Sequence, residues 1–239
     1  DHYAHEGMVK KVIGGHFNFV PKICEMLSEN KIEGYNVPQG AIAQMLRDNA
    51  ARKVGTISHV GIGTFADPRN GGGRLSEKTK EDIVKIIELE GQEQLFYPRI
   101  PLDVAFIRGT YADELGNITL EKEMAPLDAT SQAMAVHNNG GLVVVQVERV
   151  VKAGHLDPKL VKIPGIYVDA VVECPADDPK QSQSINCTYD PAYAGNTQVP
   201  VSSLEPKKLD AKKIIGRRAA MELKKNVVVN LGVGVPEWV

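Results

Sequence analysis

Residues 142–147 form a nearly unbroken apolar and β-branched run, LVVVQV, and this run constrains the fold more than any other segment. Runs of this kind are typical of strands that are covered on both faces in parallel sheets. Residues 103–110 and 166–172 are two further predicted strands, and residues 131–138, which end at Asn139-Gly140-Gly141, are a predicted helix. Alternating strands and helices predict an α/β fold, a layered and open, mainly parallel sheet with flanking helices.

The rest of the chain divides by composition. Residues 10–30 and 41–51 have helical periodicity, whereas residues 175–205 are rich in Pro, Asp, Gln, Ser and Asn and have no period. A predicted helix over 211–224 and a predicted strand over 226–231 then lead into a second glycine-rich turn. We therefore predict an α/β domain over 1–174, an extended linker over 175–208, and the start of a second, similar domain over 209–239.

Charge and cysteine content exclude several classes of function. The formal net charge of −2 gives no electrostatic argument for binding nucleic acid or membranes. The three cysteines lie far apart without a C-x-x-C pair, which argues against a disulfide framework or a zinc site and fits a reducing compartment. We expect a cytoplasmic protein.

Residues 61–73, GIGTFADPRNGGG, contain five glycines in thirteen positions. This glycine loop follows a predicted strand over 54–60 and precedes a predicted helix over 78–89. Strand, glycine loop and helix is the arrangement in which α/β proteins present backbone N–H groups to a ligand. The spacing matches neither a dinucleotide fingerprint nor a P-loop. A surface loop without a ligand is the alternative.

Several motifs in the same order resemble one family, the family I coenzyme A transferases, and most closely the single-chain acetate or propionate type. The matching segments are 35–40 (YNVPQG), 61–73, 109–119 (GTYADELGNIT), 145–151 (VQVERVV), 163–169 (IPGIYVD) and 230–236 (NLGVGVP). The resemblance implies two similar α/β halves with the active site between them, in an enzyme about twice this length.

The resemblance also implies a covalent mechanism. A glutamate attacks the acyl-CoA thioester, and a glutamyl-CoA thioester then passes coenzyme A to an acceptor carboxylate. In the family this glutamate lies shortly after the segment that matches 230–236, so we expect it beyond Val239. We expect no catalytic residue within this chain, the family's first strand before Asp1, and no activity of the chain alone. Coenzyme A is a substrate, and no metal, flavin or nicotinamide is expected.

Given the resemblance, ten residues are candidates for contacting acyl-CoA or the reacting carbonyl. They are Gln39, Gly61, Gly63, Thr64, Gly71, Gly72, Gly73, Asn230, Gly232 and Gly234. The alternatives are helix capping for Gln39, a structural turn for the loop, and close strand–helix packing for the last three.

The nearby charged residues are expected to be structural. We expect Glu237 in a first helical turn, Glu148 paired with Arg149, and Glu121 and Glu123 on a solvated surface. Asp67 and Arg69 are expected to form a local pair that shapes the loop, from which Arg69 could reach a CoA phosphate.

Three functions therefore remain open from the sequence. The first is transfer of coenzyme A between a short-chain acyl-CoA and a carboxylate, by a homo-oligomer completed by a missing catalytic half or a second chain. The second is a non-catalytic subunit or acyl-CoA-binding domain. The third is a sugar-phosphate isomerase of the same fold, which would need a phosphate loop and an acid–base carboxylate that are not evident here.

Overall fold

The computed structural model describes residues 2–184 and 187–239 and divides into two compact units, Asp1–Ala194 and Gly195–Val239. Its strands are β1 (Lys11–Gly14), β2 (Glu33–Asn36), β3 (Gly55–Ser58), β4 (Lys85–Leu89), β5 (Gln92–Pro98), β6 (Val104–Arg108), β7 (Tyr111–Asp113), β8 (Ile118–Thr119), β9 (Leu142–Val147), β10 (Arg149–Val151), β11 (Val161–Ile163) and β12 (Ala170–Glu173). Its α-helices are α1 (Pro21–Ser28), α2 (Gln39–Ala50), α3 (Ala129–Asn138) and α4 (Ala211–Ala220). None of these helices is long and apolar enough to cross a membrane.

The first unit is built around a parallel sheet with the order β12-β9-β6. Helix α3 packs on one face, where Val143, Val145 and Val147 of β9 are fully buried. The opposite face is only partly covered, because Leu142 is 47% exposed and Phe106 on β6 is 67% exposed, whereas Val144 and Gln146 are half-buried. The α/β class is confirmed, but full cover on both faces of β9 is wrong for the described residues.

A second parallel pair, β1-β2, lies next to α2 in the chain. Residues 10–30 are not one helix, because Lys11–Gly14 form β1, Gly15 follows this strand, and Pro21 begins α1. Proline at the first helical position is favourable, since its fixed φ suits the helix and the missing N–H would be unpaired there. The predicted helix over 41–51 is confirmed as α2, which begins two residues earlier.

The predicted helix over 78–89 is wrong. Residues 85–89 form β4, which pairs with β5 and, through it, with β3 in an antiparallel sheet of order β3-β5-β4. Glu90 and Gly91, both with positive φ, join β4 to β5. A two-residue turn with this backbone matches the twist of a hairpin, so it directs the β-branched Ile86 and Ile87 into a strand.

The remaining strands of the first unit form a mixed sheet of order β10-β7-β8-β11. The strand expected over 166–172 begins later, as β12, because Pro164 and Gly165 lead into a 3₁₀ turn over Gly165–Tyr167. Buried Ile118 and Ile163 join this sheet to the core beneath α3.

In the second unit, α4 begins where the sequence predicts and ends four residues earlier. The Asp210 side chain caps it by accepting from the Lys213 N–H at 2.8 Å. The predicted strand over 226–231 is wrong for the described chain, where Val228 is fully exposed. A β-branched run needs a neighbouring strand to pair with, and none pairs with these residues here.

Candidate active site

The carboxyl ends of β1 and β2 bring two short segments together at one edge of the parallel pair. Gly14 stands opposite Asn36 in the register, and the Val37 N–H donates to the Gly14 carbonyl at 3.0 Å. Gly15 therefore lies beside the Pro38-Gln39 turn that opens α2. Ligands of α/β sheets bind at such carboxyl ends.

Gln39 is exposed at this edge and does not cap the helix. Pro38 occupies the N-cap position, and the structure gives it no side-chain capping bond. The Gln39 side chain lies instead against the Cα of Gly15. The capping alternative is therefore not what the structure shows, and the carboxamide remains available at the strand ends.

Asp67 organises the glycine loop. Its fully buried carboxylate accepts from the Gly63 N–H at 2.9 Å and from the Arg69 N–H at 3.0 Å. It also accepts from Arg69 Nε at 2.9 Å and Arg69 Nη2 at 2.7 Å, which confirms the local pair. The hydrogen bonds from the Arg69 side chain and the Gly63 amide hold the pKa of the Asp67 carboxyl well below its usual range.

The Arg69 side chain donates hydrogen bonds to two carboxylates. Besides Asp67, its guanidinium donates to the Glu93 carboxylate on β5, with Nη2 at 2.7 Å and Nη1 at 3.0 Å. These hydrogen bonds raise the pKa of Arg69. A CoA phosphate would have to compete with both carboxylates for this side chain.

Most amides of the loop are used inside it. The N–H groups of Gly71, Gly72 and Gly73 donate to carbonyls of Pro68, Asp67 and Phe65, at 3.3, 2.9 and 2.7 Å. Thr64 Oγ1 donates to the Gly61 carbonyl at 2.7 Å. The loop is therefore held together by its own hydrogen bonds, and the N–H groups of its last three glycines do not point outward to bind an anion.

At two loop positions glycine is required for two reasons: φ is positive, and another group lies where a Cβ would stand. Gly61, at φ +106°, lies under the Tyr97 hydroxyl, which donates to the Val60 carbonyl at 2.7 Å. Gly73, at φ +73°, lies against the Asn36 carbonyl, and its own carbonyl accepts from the Asn36 N–H at 2.8 Å. The end of the loop is thus fixed to the end of β2.

The structure brings part of the candidate set together. Gln39 and Gly73 both lie beside the carboxyl end of β2, and the other loop candidates extend away from it as Gly61, Gly63, Thr64, Gly71 and Gly72. Asn230, Gly232 and Gly234 belong to the second unit. There the Gly234 N–H donates to the Glu237 carboxylate at 2.7 Å, at the start of a 3₁₀ turn over Val235–Trp238, as expected for Glu237.

A second polar cluster, missed from the sequence, lies at the carboxyl ends of β6 and β9. Glu148, which follows β9, accepts from Lys122 Nζ at 2.9 and 2.8 Å rather than pairing with Arg149. Arg108 at the end of β6 donates to Glu123 at 2.9 Å, and the Glu123 side chain is only 13% exposed. The solvated surface predicted for Glu123 is therefore wrong.

The surroundings of Lys122 favour its charged form. Its ammonium lies 5.2 Å from the ring centroids of both Tyr111 and Tyr189. Burial lowers the pKa of Lys122, but the hydrogen bonds with Glu148 and Tyr111 outweigh burial and raise it overall. The signal that could have revealed this cluster is position, since Arg108 ends one strand and Glu148 directly follows another.

Comparison with known proteins decides the family. The family model described as "Coenzyme A transferase" matches residues 1–174. The chain belongs to the coenzyme A transferase family.

Among residues 2–184 and 187–239, the chain has no group of three or more His, Cys, Asp or Glu residues that could hold a metal ion.

Individual relatives of this transferase chain match almost all of it. "Acetate CoA-transferase YdiF" of Escherichia coli (strain K12) is 44% identical over 237 residues, which is 99% of this chain and 44% of that protein. "Caffeate CoA-transferase" of Acetobacterium woodii is 44% identical over 231 residues, 97% of this chain and 44% of that protein. The chain thus spans less than half the length of these curated relatives.

A solved structure agrees with this fold over nearly all of the chain. The acyl-CoA transferase YdiF from E. coli O157:H7, in a thioester complex with CoA, superposes with a TM-score of 0.87 at 44% identity. The match covers 98% of this chain and 46% of that one.

The charge of Asp67 makes the free energy of unfolding of this chain depend on pH. Because its folded pKa is depressed, Asp67 stabilises the fold above its unfolded pKa of about 3.9, and that contribution is lost as pH falls further. The free energy of unfolding, measured in urea between pH 6 and 3, should therefore fall less steeply for Asp67→Asn than for the wild type. Asp103→Asn, at an exposed position before β6, should keep the wild-type slope. Parallel slopes for all three proteins would contradict the role of Asp67.

Proposed function

We propose that this chain is part of an enzyme that transfers coenzyme A between a short-chain acyl-CoA and a carboxylate such as acetate or propionate. The observation that carries the proposal is the 44% identity to an acetate CoA-transferase over 237 residues. The exposed Gln39 carboxamide and the fixed end of the glycine loop, both at the carboxyl end of a parallel strand, are compatible with it.

The reaction proceeds in balanced steps. A glutamate carboxylate beyond Val239 attacks the thioester carbonyl, the CoA thiolate leaves, and an acyl-glutamyl anhydride forms. The thiolate then attacks the glutamyl carbonyl, which releases the first carboxylate and leaves a glutamyl-CoA thioester. An acceptor carboxylate repeats the sequence in reverse and departs as the new acyl-CoA.

This chain would contribute binding and orientation to those steps. We assign Gln39 and the six loop candidates, Gly61, Gly63, Thr64, Gly71, Gly72 and Gly73, to binding of the acyl-CoA. The Gln39 amide is suited to donate to a carboxylate or thioester oxygen. Asn230, Gly232 and Gly234 are assigned to contact with the reacting carbonyl, where backbone N–H groups would stabilise a developing oxyanion. The Gly234 N–H would first have to leave the Glu237 carboxylate.

The partners follow from the same proposal. Acyl-CoA and small carboxylates bind the site, and a catalytic half or a second chain completes it, within a homo-oligomer in the cytoplasm. The exposed apolar side chains of Phe106 and Leu142 support a further layer over the partly covered sheet face. Coenzyme A is the substrate, and no resident cofactor, nucleic acid or membrane takes part.

An exchange assay tests this proposal directly. The full-length protein is incubated with propionyl-CoA and labelled acetate, and formation of acetyl-CoA is followed. A parallel sample without acceptor is treated with borohydride, which reduces a glutamyl-CoA thioester to an alcohol that peptide mapping can locate. We expect exchange and a reduced glutamate after residue 239. Absence of exchange, or a reduced residue within 1–239, would overturn the proposal.

A further inference from the structure

Gly15, at the end of β1, has a side-chain position that another residue already fills. A Cβ added to Gly15 would overlap the carboxamide oxygen of Gln39 and lie 3.0 Å from its Cβ and 3.1 Å from its Cδ. Cβ atoms essentially never approach other heavy atoms closer than 3.0 Å, so the Gln39 side chain lies directly on the Cα of Gly15.

The backbone of Gly15 does not itself require glycine. Its φ lies outside the left-handed region, unlike that of Gly61, Gly63 or Gly73 in the glycine loop. Glycine is needed where a backbone takes positive φ or where another group comes close. Only the second reason applies at Gly15, and the group that comes close is Gln39.

The separation of the two residues is set by the sheet. The β1-β2 register and the hydrogen bond from the Val37 N–H to the Gly14 carbonyl hold the two strand ends together. Gln39 is exposed, so a flexible side chain there would otherwise sample several rotamers. The bare Cα of Gly15 provides the surface on which one of them rests.

The resting orientation also determines which end of the amide is available. The carboxamide oxygen is the amide atom nearest to Gly15, and the NH₂ group lies farther from the glycine. A primary amide nitrogen donates two hydrogen bonds and accepts none. This end therefore suits an anionic or carbonyl oxygen.

We propose that Gly15 is a positioning residue, which directs the Gln39 NH₂ group toward the carboxylate or thioester oxygen of the substrate. This inference rests on the proposed function, because it concerns the same site. Gly15 touches no reacting atom and acts only through Gln39.

Gly15→Ala is the primary test, in the full-length protein. The obstacle to the new methyl group is mainly the far end of a flexible side chain, so the variant should fold and move the carboxamide. A displacement of about 1 Å at a positioned group can lower catalytic efficiency by on the order of 100-fold. We expect kcat/KM for propionyl-CoA and acetate to fall by roughly 10- to 100-fold, with an unchanged melting temperature.

A double-mutant cycle separates this role from a purely structural one. Gln39→Ala should lower kcat/KM by a similar factor, and Gly15→Ala should cause a much smaller further loss in the Gln39→Ala background, because the methyl group then meets the Cβ of residue 39 at 3.0 Å but no carboxamide. Gly14→Ala is the matched control, since the three heavy atoms nearest to its new Cβ all belong to the Phe17 ring, the first at 3.0 Å, and none belongs to Gln39.

The outcomes are distinct. Equal losses from Gly15→Ala in both backgrounds, or an equal loss from Gly14→Ala, would overturn the inference while leaving the proposed function intact. Wild-type activity for Gly15→Ala would also overturn it. A wild-type protein that exchanges no CoA would instead overturn the proposed function, before any variant is compared.

Discussion

Replacing Gly73 with alanine is expected to lower the free energy of unfolding by about 3 kcal/mol, because two costs add. A non-glycine residue at φ +73° is strained, and the new Cβ would overlap the Asn36 carbonyl oxygen and lie 3.2 Å from its carbon. The obstacle is backbone that is hydrogen-bonded to Gly73 itself, so it cannot move aside without loss of the 2.8 Å bond.

Gly63 offers a matched control for this substitution. It has the same φ of +73°, but a Cβ there would meet no heavy atom within 4 Å. Gly63→Ala should therefore cost only the backbone strain, about 1–2 kcal/mol. Urea unfolding of the two variants measures the difference, which is the cost of the clash. Equal losses would mean that the end of the loop is not fixed to β2 as described.

Replacing Lys122 with methionine is expected to lower the free energy of unfolding by about 2 kcal/mol, because its ion pair with Glu148 is partly buried. Both Glu148 oxygens bond to the Lys122 ammonium, and the Glu148 side chain is only 13% exposed. The variant leaves that carboxylate desolvated without its cation. Removing one partner of a buried ion pair is costly for this reason, whereas removing both is often nearly neutral.

A double variant separates the effect of the Lys122 charge from the effect of its packing. Lys122→Met combined with Glu148→Gln removes both charges and should recover more than half of the stability lost in Lys122→Met alone. Urea unfolding at neutral pH and low salt provides the comparison. A double variant no more stable than the single one would show that Lys122 stabilises the fold through packing on Tyr111 and Tyr189 rather than through its charge.

The elements that could be predicted from sequence are those whose own residues determine them. The strand β9 and the helices α2 and α3 carry strong patterns and clear end signals, such as the Asn139-Gly140-Gly141 stop. The α/β class follows from their alternation. Glu90-Gly91 is also a local signal, because a turn of this kind favours a hairpin strand over the helix predicted for residues 78–89.

Other features depend on partners that are distant in the chain. Residues 226–231 have strand composition but pair with no strand among the described residues. The pairing of Lys122 with Glu148 and the contact of Gly15 with Gln39 arise only when separate strand ends meet at one edge. For the candidate site, the sequence motif identifies Gln39. The contact between Gly15 and Gln39 can be recognised only in the folded structure.

The β4-β5 hairpin has a consequence for the order in which the first unit can assemble. Leu89 and Gln92 pair across a two-residue turn, so little chain entropy opposes the hairpin and it can form within microseconds. The β6-β9 pairing joins Val104 to Leu142 and must wait for a much longer loop to close. Glu93 holds Arg69 in the glycine loop, Tyr97 holds Val60 just before that loop, and both belong to β5. A hairpin that forms before the long-range pairing can therefore act as the template on which the glycine loop folds.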